Sequence, residues 1–221
     1  MRVQGNGETR VRPNIAIIYA SLFQDGKTAS EALDKINTQI QQITSVLQLN
    51  GVGQNDITTS SVGVYPKYDY SNGTSTIVGY TVYISLTITI RGIANNSDKI
   101  ARVIDGLASA GVTSIYGLSY DTSDRTARTI DARRNAWNDA LAKARQYAQL
   151  AGRRLGKVLV IEEVSSAYYS NIYRTGLSET SSMTGGLAAN TAGLDASRAT
   201  PELPIGTIII NVIVIVVWEL A

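Results

Sequence analysis

Residues 125–163 read RTARTIDARRNAWNDALAKARQYAQLAGRRLGKVLVIEE, and this stretch decides the architecture. It follows Asp121, Ser123 and Asp124, each of a type that caps a helix N-terminus. Alanine recurs at 132, 136, 140, 144 and 148, flanked by Trp137, Leu141, Tyr147 and Leu150. Residues four apart share a helical face, so the spacing predicts a long helix carrying a ridge of methyl groups edged by larger apolar side chains. A ridge this smooth lets the helix backbone lie close to whatever it covers, and a sheet is the expected partner. Gly152 stands where a left-handed C-terminal residue belongs, and Gly156 breaks the chain again. Residues 157–164 then read as a buried strand.

Toward the N-terminus the pattern becomes strand-rich. Residues 2–10 (RVQGNGETR) read as a short strand interrupted by glycine, and residues 14–23 (NIAIIYASLF) as a strand rich in Ile and Ala. Thr28 or Ser30 can cap a helix over residues 31–49, where Ala32, Ile36, Ile40, Ile43 and Leu47 fall at three-to-four spacing before Asn50-Gly51. Residues 57–70 form a strand that Pro66 marks as an edge or a bend. Ser71-Asn72-Gly73-Thr74 is a hairpin turn. In residues 77–90, Val78, Tyr80, Val82, Ile84, Leu86, Ile88 and Ile90 alternate with Thr81, Tyr83, Ser85, Thr87 and Thr89, which predicts one core face and one wet face. A second helix spans residues 98–110, and a short strand spans 114–120. Beyond the long helix lies a Ser/Thr/Gly/Ala-rich loop at 165–206, a length that is usually functional or mobile, and then the strand TIIINVIVIVVWEL at 207–220. The order is ββαββαβαββ. That is an α+β fold, with a mainly antiparallel sheet and three helices, in a single domain over 1–221.

Composition narrows the chemistry. The 221 residues hold no His and no Cys, which removes the commonest general base, the commonest transition-metal ligand, disulfides and thiolate nucleophiles. No catalytic residue, cofactor or metal site is expected, and the chain is read as a non-enzyme. The net charge of +2 makes no global case for nucleic acid. No apolar run follows Met1-Arg2-Val3-Gln4-Gly5, so no signal peptide is visible, which fits a cytoplasmic protein or the mature form of a secreted one. No apolar run is long enough to span a bilayer as a helix.

Several segments resemble the SIMPL-domain family of periplasmic and outer-membrane-associated immunogenic proteins. They are Gly5-Asn6-Gly7-Glu8 with Arg12-Pro13-Asn14-Ile15-Ala16, Gly26-Lys27-Thr28-Ala29-Ser30-Glu31-Ala32-Leu33, Tyr65-Pro66-Lys67-Tyr68-Asp69-Tyr70 with Gly79-Tyr80, and the alanine ridge with Leu155-Gly156-Lys157-Val158. Asn14 departs from the family's usual Asp. The resemblance implies an exported envelope protein in the periplasm, at the cell surface or outside the cell. It also implies self-association and a link to stress tolerance. It carries over no catalytic residue.

The last strand departs further from the family, whose members alternate apolar and polar residues there. Ile208, Ile210, Val212, Val214, Val216 and Trp218 form one face, and Ile209, Asn211, Ile213, Ile215 and Val217 the other, so both faces are apolar. Either the strand is covered on both sides within one subunit, or a neighbouring subunit covers the second face; membrane contact is a third reading. Tyrosines gather in two places, at Tyr65, Tyr68, Tyr70, Tyr80 and Tyr83 around the hairpin and at Tyr168, Tyr169 and Tyr173 in the long loop. They suit an interface or cross-strand pairing. The expected oligomer interface therefore comprises Ile209, Ile213, Ile215, Val217, Trp218, Tyr65, Tyr68, Tyr70, Tyr168, Tyr169 and Tyr173. The cations of the long helix (Arg125, Arg128, Arg133, Arg134, Lys143, Arg145, Arg153, Arg154 and Lys157) read as a solvated face, with nucleic acid, anionic lipid or another subunit as the competing partners. Asn72 and Asn95 fit the glycosylation pattern.

The resulting expectation is an envelope or extracellular protein that self-assembles into a ring, tube or filament. Its partner is itself, with envelope or membrane-surface contact besides and no nucleic acid. The competing expectations are a periplasmic ligand- or partner-binding module, for which a groove on a monomer would speak, and a hydrolase using carboxylates, for which a polar pocket with converging acids would speak.

Overall fold

The computed structural model describes residues 1–71, 73, 75–164 and 205–221. The expected interface residues Tyr168, Tyr169 and Tyr173, the glycosylation candidate Asn72 and nearly all of the 165–206 loop lie outside the described residues. The elements run β1 (Arg2–Val11), β2 (Ile15–Gly26), α1 (Ala29–Leu49), β3 (Ile57–Asp69), β4 (Thr76–Arg91), α2 (Asp98–Ser109), β5 (Ser114–Asp121), α3 (Arg125–Leu150), β6 (Leu155–Val164) and β7 (Ile208–Leu220). This is the ββαββαβαββ order of an α+β fold. The strands divide into two sheets, β1-β7-β6 and β3-β4-β2-β5. The described residues correspondingly form two compact units, 1–14 with 120–164 and 205–221, and Ile15–Ser119.

In the first unit β7 is central and runs antiparallel to both neighbours, with Arg2 opposite Val217 and Val164 opposite Ile213. The alanine ridge does what its spacing predicts. Ala132, Ala136, Ala140, Ala144 and Ala148 are buried against β1 and β7, together with Ile208, Ile210, Val212, Val214, Val216 and Trp218. Glycines on β1 complete the fit. A Cβ built on Gly5 would sit 2.6 Å from Ala140 Cβ and 2.7 Å from Ala140 N. One built on Gly7 would meet Ala136 Cβ at 2.9 Å. The interruptions in β1 are therefore the sheet's half of a backbone-to-backbone contact. Trp137 tilts against Trp218, ring centroids 6.1 Å apart.

Polar contacts along α3 reinforce this packing. Asn6 N donates to Asp139 Oδ2 at 2.8 Å, and Asn135 Nδ2 donates to Glu8 O at 2.9 Å. No side chain caps the α3 N-terminus in the expected way. Asp124 occupies the cap position without a side-chain bond, while Thr122 Oγ1 accepts from Asp124 N at 3.3 Å and Asp121 turns its carboxylate to Arg125. The C-terminus follows expectation, with Gly152 at φ 65°.

The buried strand expected at 157–164 requires correction. β6 is an edge strand, and Leu159 and Ile161 are 60% and 61% exposed. The cause is the position of α3, which the small residues of β1 draw over β1 and β7. Ile161 lies opposite the buried Val216 yet beyond the helix.

In the second unit α1 packs on β2 and β4. Ala32, Ile36, Ile43 and Leu47 are buried with Ile18, Ala20, Leu22, Val82, Ile84, Leu86, Ile88 and Ile90. Thr28 caps α1, its Oγ1 accepting from Glu31 N at 3.2 Å, and Gly51 ends the helix at φ 73°. β3 is an edge strand, as Pro66 suggests, and pairs antiparallel with β4. The helices do not reach it. Val62 and Val64 lie opposite the buried Ile84 and Val82 but stay exposed, and Val78, expected on the core face, is 54% exposed.

Candidate functional site

The expected interface residues that are described fall in four places. Ile209, Ile213, Ile215 and Val217 share the outer face of β7, away from α3, and are half-buried. Val164, Glu162 and Val160 of β6 lie directly opposite Ile213, Ile215 and Val217, so two valines flanking a carboxylate extend the aliphatic surface onto the edge strand. On the other side Arg2, Gln4 and Asn6 of β1 line the same residues with polar groups. Trp218 does not belong to this surface. It is 2% exposed on the α3 side, because its position in the alternation matches Val216 rather than Val217. Tyr68 and Tyr70 meet near the hairpin tip with ring centroids 6.2 Å apart, and both are exposed.

Tyr65 belongs to a different constellation. β2 presents Tyr19, Ser21, Phe23 and Asp25 to the face of the four-stranded sheet that α1 leaves open, and Ser85, Tyr83 and Thr81 of β4 lie opposite the last three. Tyr65 of β3 lies opposite Thr81, and Gly63 lies opposite Tyr83. Phe23, Tyr65, Thr81 and Tyr83 line a shallow, open groove of about 520 Å³. Further along, Tyr116 of β5 stacks with Tyr19 at 6.2 Å and an interplanar angle of 29°. The sequence reading singled out Tyr65 and Tyr83 but missed Tyr19, Phe23 and Tyr116. The signal was the alternation Tyr19-Ser21-Phe23, out of phase with the aliphatic Ile18-Ala20-Leu22.

Polar groups rim this groove and are already paired. Thr81 Oγ1 donates to Asp25 Oδ1 at 2.5 Å, and Lys67 Nζ donates to Asp25 Oδ2 at 2.5 Å. These two hydrogen bonds hold the Asp25 carboxyl below its ordinary range, Lys67 foremost. Ser85 Oγ donates to Tyr83 Oη at 3.0 Å.

The cations of α3 are largely engaged within the chain. Arg125 pairs with Asp121, Arg128 with Asp124 and Asp131, Arg134 with Asp131, and Lys143 with Asp139. Arg133 forks onto both oxygens of Glu163, at 2.7 and 3.1 Å, tying the helix to the edge strand. The arginine's hydrogen bonds lower the Glu163 pKa. Asp139 is likewise lowered, first by Lys143 and then by the backbone N–H of Asn6. Among the described residues no group of three or more His, Cys, Asp or Glu converges on a metal-sized site, and no helix is long and apolar enough to cross a membrane.

Comparison with known proteins places this arrangement. Over 168 residues the chain is 30% identical to the 26 kDa periplasmic immunogenic protein of Brucella melitensis, covering 74% of this chain and 66% of that protein. The protein of the same name from Brucella abortus matches equally, at 30% with the same coverage. Uncharacterized protein YggE of Escherichia coli is 27% identical over 164 residues, 74% of this chain and 65% of its own length. The chain thus spans just under two thirds of the length of these relatives. The family model named SIMPL, described as a protein of unknown function (DUF541), matches residues 1–218 and so runs through both units. The chain belongs to the SIMPL family.

Proposed function

We propose that the chain is a non-enzymatic periplasmic protein whose working form is a homo-oligomer, a ring, tube or filament built from copies of itself. The observation that carries this reading is β6. It is an edge strand of ten residues with Val158, Leu159, Val160, Ile161 and Val164 all exposed. An apolar edge is a template for pairing with another chain, and charge, proline or bulges blunt it; β6 carries Lys157, Glu162, Glu163 and two register shifts before Val160, which leaves the aliphatic run 158–161 between the charges as the part that can pair. On the outer face Val160 and Val164, on either side of Glu162, extend this surface to Ile213, Ile215 and Val217 of β7. Tyr68, Tyr70, Val62 and Val64 offer a second contact on the hairpin overhang.

The periplasmic part of the reading draws on the printed name of the Brucella relatives. The non-enzymatic part draws on the absence of His and Cys and on Asp25, Asp139 and Glu163, whose hydrogen-bonded cations hold them below the ordinary carboxylate range.

Light scattering on a sizing column, with electron microscopy of the same fractions, tests the reading. The wild-type chain is expected as a discrete or polymeric particle. Leu159→Lys and Ile161→Lys, which place charge on the edge without touching the core, are expected to release folded monomers with unchanged circular dichroism. A wild-type monomer at micromolar concentration, or particles unaffected by both substitutions, would refute it.

A second reading, a periplasmic ligand- or partner-binding module, is favoured by one feature, the aromatic groove on the open sheet face.

A further inference from the structure

The cations of α3 and the turn after it divide into two sets. Up to Lys143 the ion-paired ones are Arg125, Arg128, Arg133, Arg134 and Lys143 itself, each with a carboxylate of α3, of the turn before it or of β6. Residues 140–161 then hold Lys143, Arg145, Arg153, Arg154 and Lys157 and not one Asp or Glu. Among the described residues Arg145, Arg153, Arg154 and Lys157 have no carboxylate partner, and all four are exposed. Glu219 of β7 faces this corner, where a Cβ built on Gly156 would meet its Cβ at 3.0 Å, yet no ion pair joins it to them.

The turn from α3 to β6 holds these charges on a fixed frame. Gly152, at φ 65°, reverses the chain, with its N–H donating to Gln149 O at 3.0 Å and Arg153 N donating to Ala148 O at 2.9 Å. Arg154 exchanges two backbone hydrogen bonds with Ala221, at 2.8 and 2.9 Å. Arg145 precedes the end of the helix by a turn and a half, about 8 Å. Lys157 follows Arg154 by about 10 Å of extended chain. The four charges therefore share one corner of the first unit.

Apolar groups stand among them. Leu150, the last residue of α3, is 76% exposed, and Tyr147, one turn earlier, is 53% exposed. The helix macrodipole favours cations at this end, but it gives no reason for a bare leucine beside them. A soluble acidic partner would be met by charge alone. Single-stranded nucleic acid would be met by charge and several stacking rings, and this corner offers one tyrosine. An anionic membrane surface matches both halves of the pattern. Its headgroups complement the unpaired cations, and its boundary with the acyl chains takes up a leucine and the ring of an amphipathic tyrosine.

We propose that the corner between α3 and β6 docks on a membrane surface of anionic phospholipid, its four cations on the headgroups and Leu150 and Tyr147 in the interface. This goes beyond self-assembly and does not depend on it. The test is cosedimentation of the full chain with vesicles of phosphatidylcholine alone and of equal parts phosphatidylcholine and phosphatidylglycerol. Binding to the mixed vesicles is expected, falling as salt is raised, with binding to phosphatidylcholine about tenfold weaker or less. One basic side chain at an anionic surface is worth about fivefold in affinity, so Arg153→Gln with Arg154→Gln should weaken binding by about 25-fold. Leu150→Gln should weaken it by about fivefold. The control is Arg10→Gln with Arg134→Gln, which removes the same net charge from side chains 67% and 68% exposed elsewhere in the unit and should change binding by less than about twofold. Circular dichroism and melting of each variant establish that it is folded. Absence of binding to the mixed vesicles overturns the proposal, as does equal binding to both kinds. A loss as large in the control pair as in the corner pair would make the effect one of net charge and overturn it too. So would binding that Leu150→Gln leaves unmoved, or oligothymidylate binding stronger than vesicle binding and lost with the corner pair.

Discussion

Replacing Gly5 by alanine adds one methyl group at the closest contact of the first unit, and its effect can be worked from the structure. The new Cβ would sit 2.6 Å from Ala140 Cβ and 2.7 Å from Ala140 N, with the Ala136 carbonyl oxygen also in its way. Optimal carbon–carbon contact lies at about 3.5–4.0 Å, so α3 must retreat from β1 by roughly 1 Å. Two of the obstructing atoms are helix backbone, and no rotamer change can clear them. A gap of that size forfeits about a quarter to a half of the dispersion energy of each contact it opens. It opens them along the whole alanine ridge, since a helix moves as a rod. Overpacking of this kind costs about 1–3 kcal/mol, and the rigid obstruction puts Gly5→Ala at the upper end. The lower entropy of the unfolded alanine chain returns about 0.4–1 kcal/mol. The net is a destabilisation of about 2 kcal/mol, or roughly 4–8 °C in melting temperature for a chain of this size. Urea unfolding should show a lower midpoint at unchanged slope. Gly206→Ala is the control, because nothing lies within 4 Å of its Cβ position and its φ is not positive; it should shift stability by less than about 0.5 kcal/mol. A Gly5→Ala protein as stable as the wild type would refute the backbone-contact account of the α3–β1 interface.

Three further outcomes follow from the same packing. Trp218→Ala, which empties a fully enclosed site beside Trp137, should cost about 3–5 kcal/mol in chemical denaturation; a small effect would mean that Trp218 is a surface residue after all. Thr28→Ala removes the one side-chain cap of α1 and should cost about 1 kcal/mol, while Thr28→Ser should cost much less. Asp139 and Glu163 both have folded pKa values below their ordinary ones, so each stabilises the fold above the ordinary carboxylate range, and that stability is lost as pH falls through the lowered values. Asp139→Asn and Glu163→Gln should therefore flatten the acid limb of a stability–pH profile and leave its shape above neutral pH unchanged. An acid limb identical to the wild type would show that these pairs do not contribute.

The parts of this fold that could be read from sequence are those governed by local periodicity. Alanines at every fourth position of α3 could only be a ridge, and the alternation in β7 placed Ile208–Val216 and Ile209–Val217 on their correct faces. The failures arose where a residue's meaning depends on a partner distant in sequence. Residues 157–164 are as apolar as a buried strand, and only the position of α3, fixed by Gly5 and Gly7 more than 120 residues earlier, leaves them at an exposed edge. The division into two sheets is equally non-local. Trp218, expected at the interface, shares the alternation of Val216 and is buried with it. The aromatic face escaped notice because its members come from four strands, and because Gly63 and Gly117 carry no sign of the rings that rest on them.

The pairing of the first strand with the last has a consequence for how the chain reaches its structure. The described residues of the second unit, Ile15–Ser119, are continuous, and its sheet can form from strands that follow one another closely. The first unit closes only when β7 adds between β1 and β6, joining Arg2 to Val217. Loop closure over such a separation must precede any reward from contact, so this step is intrinsically slow. During that interval β1 and α3 await the strand that buries the alanine ridge, and β6 has both edges free. On a ribosome or a translocating chain the four-stranded sheet would thus be formed while the three-stranded one is still an open template. Refolding kinetics should separate into a fast phase from the continuous unit and a slow one that registers the arrival of residues 208–220.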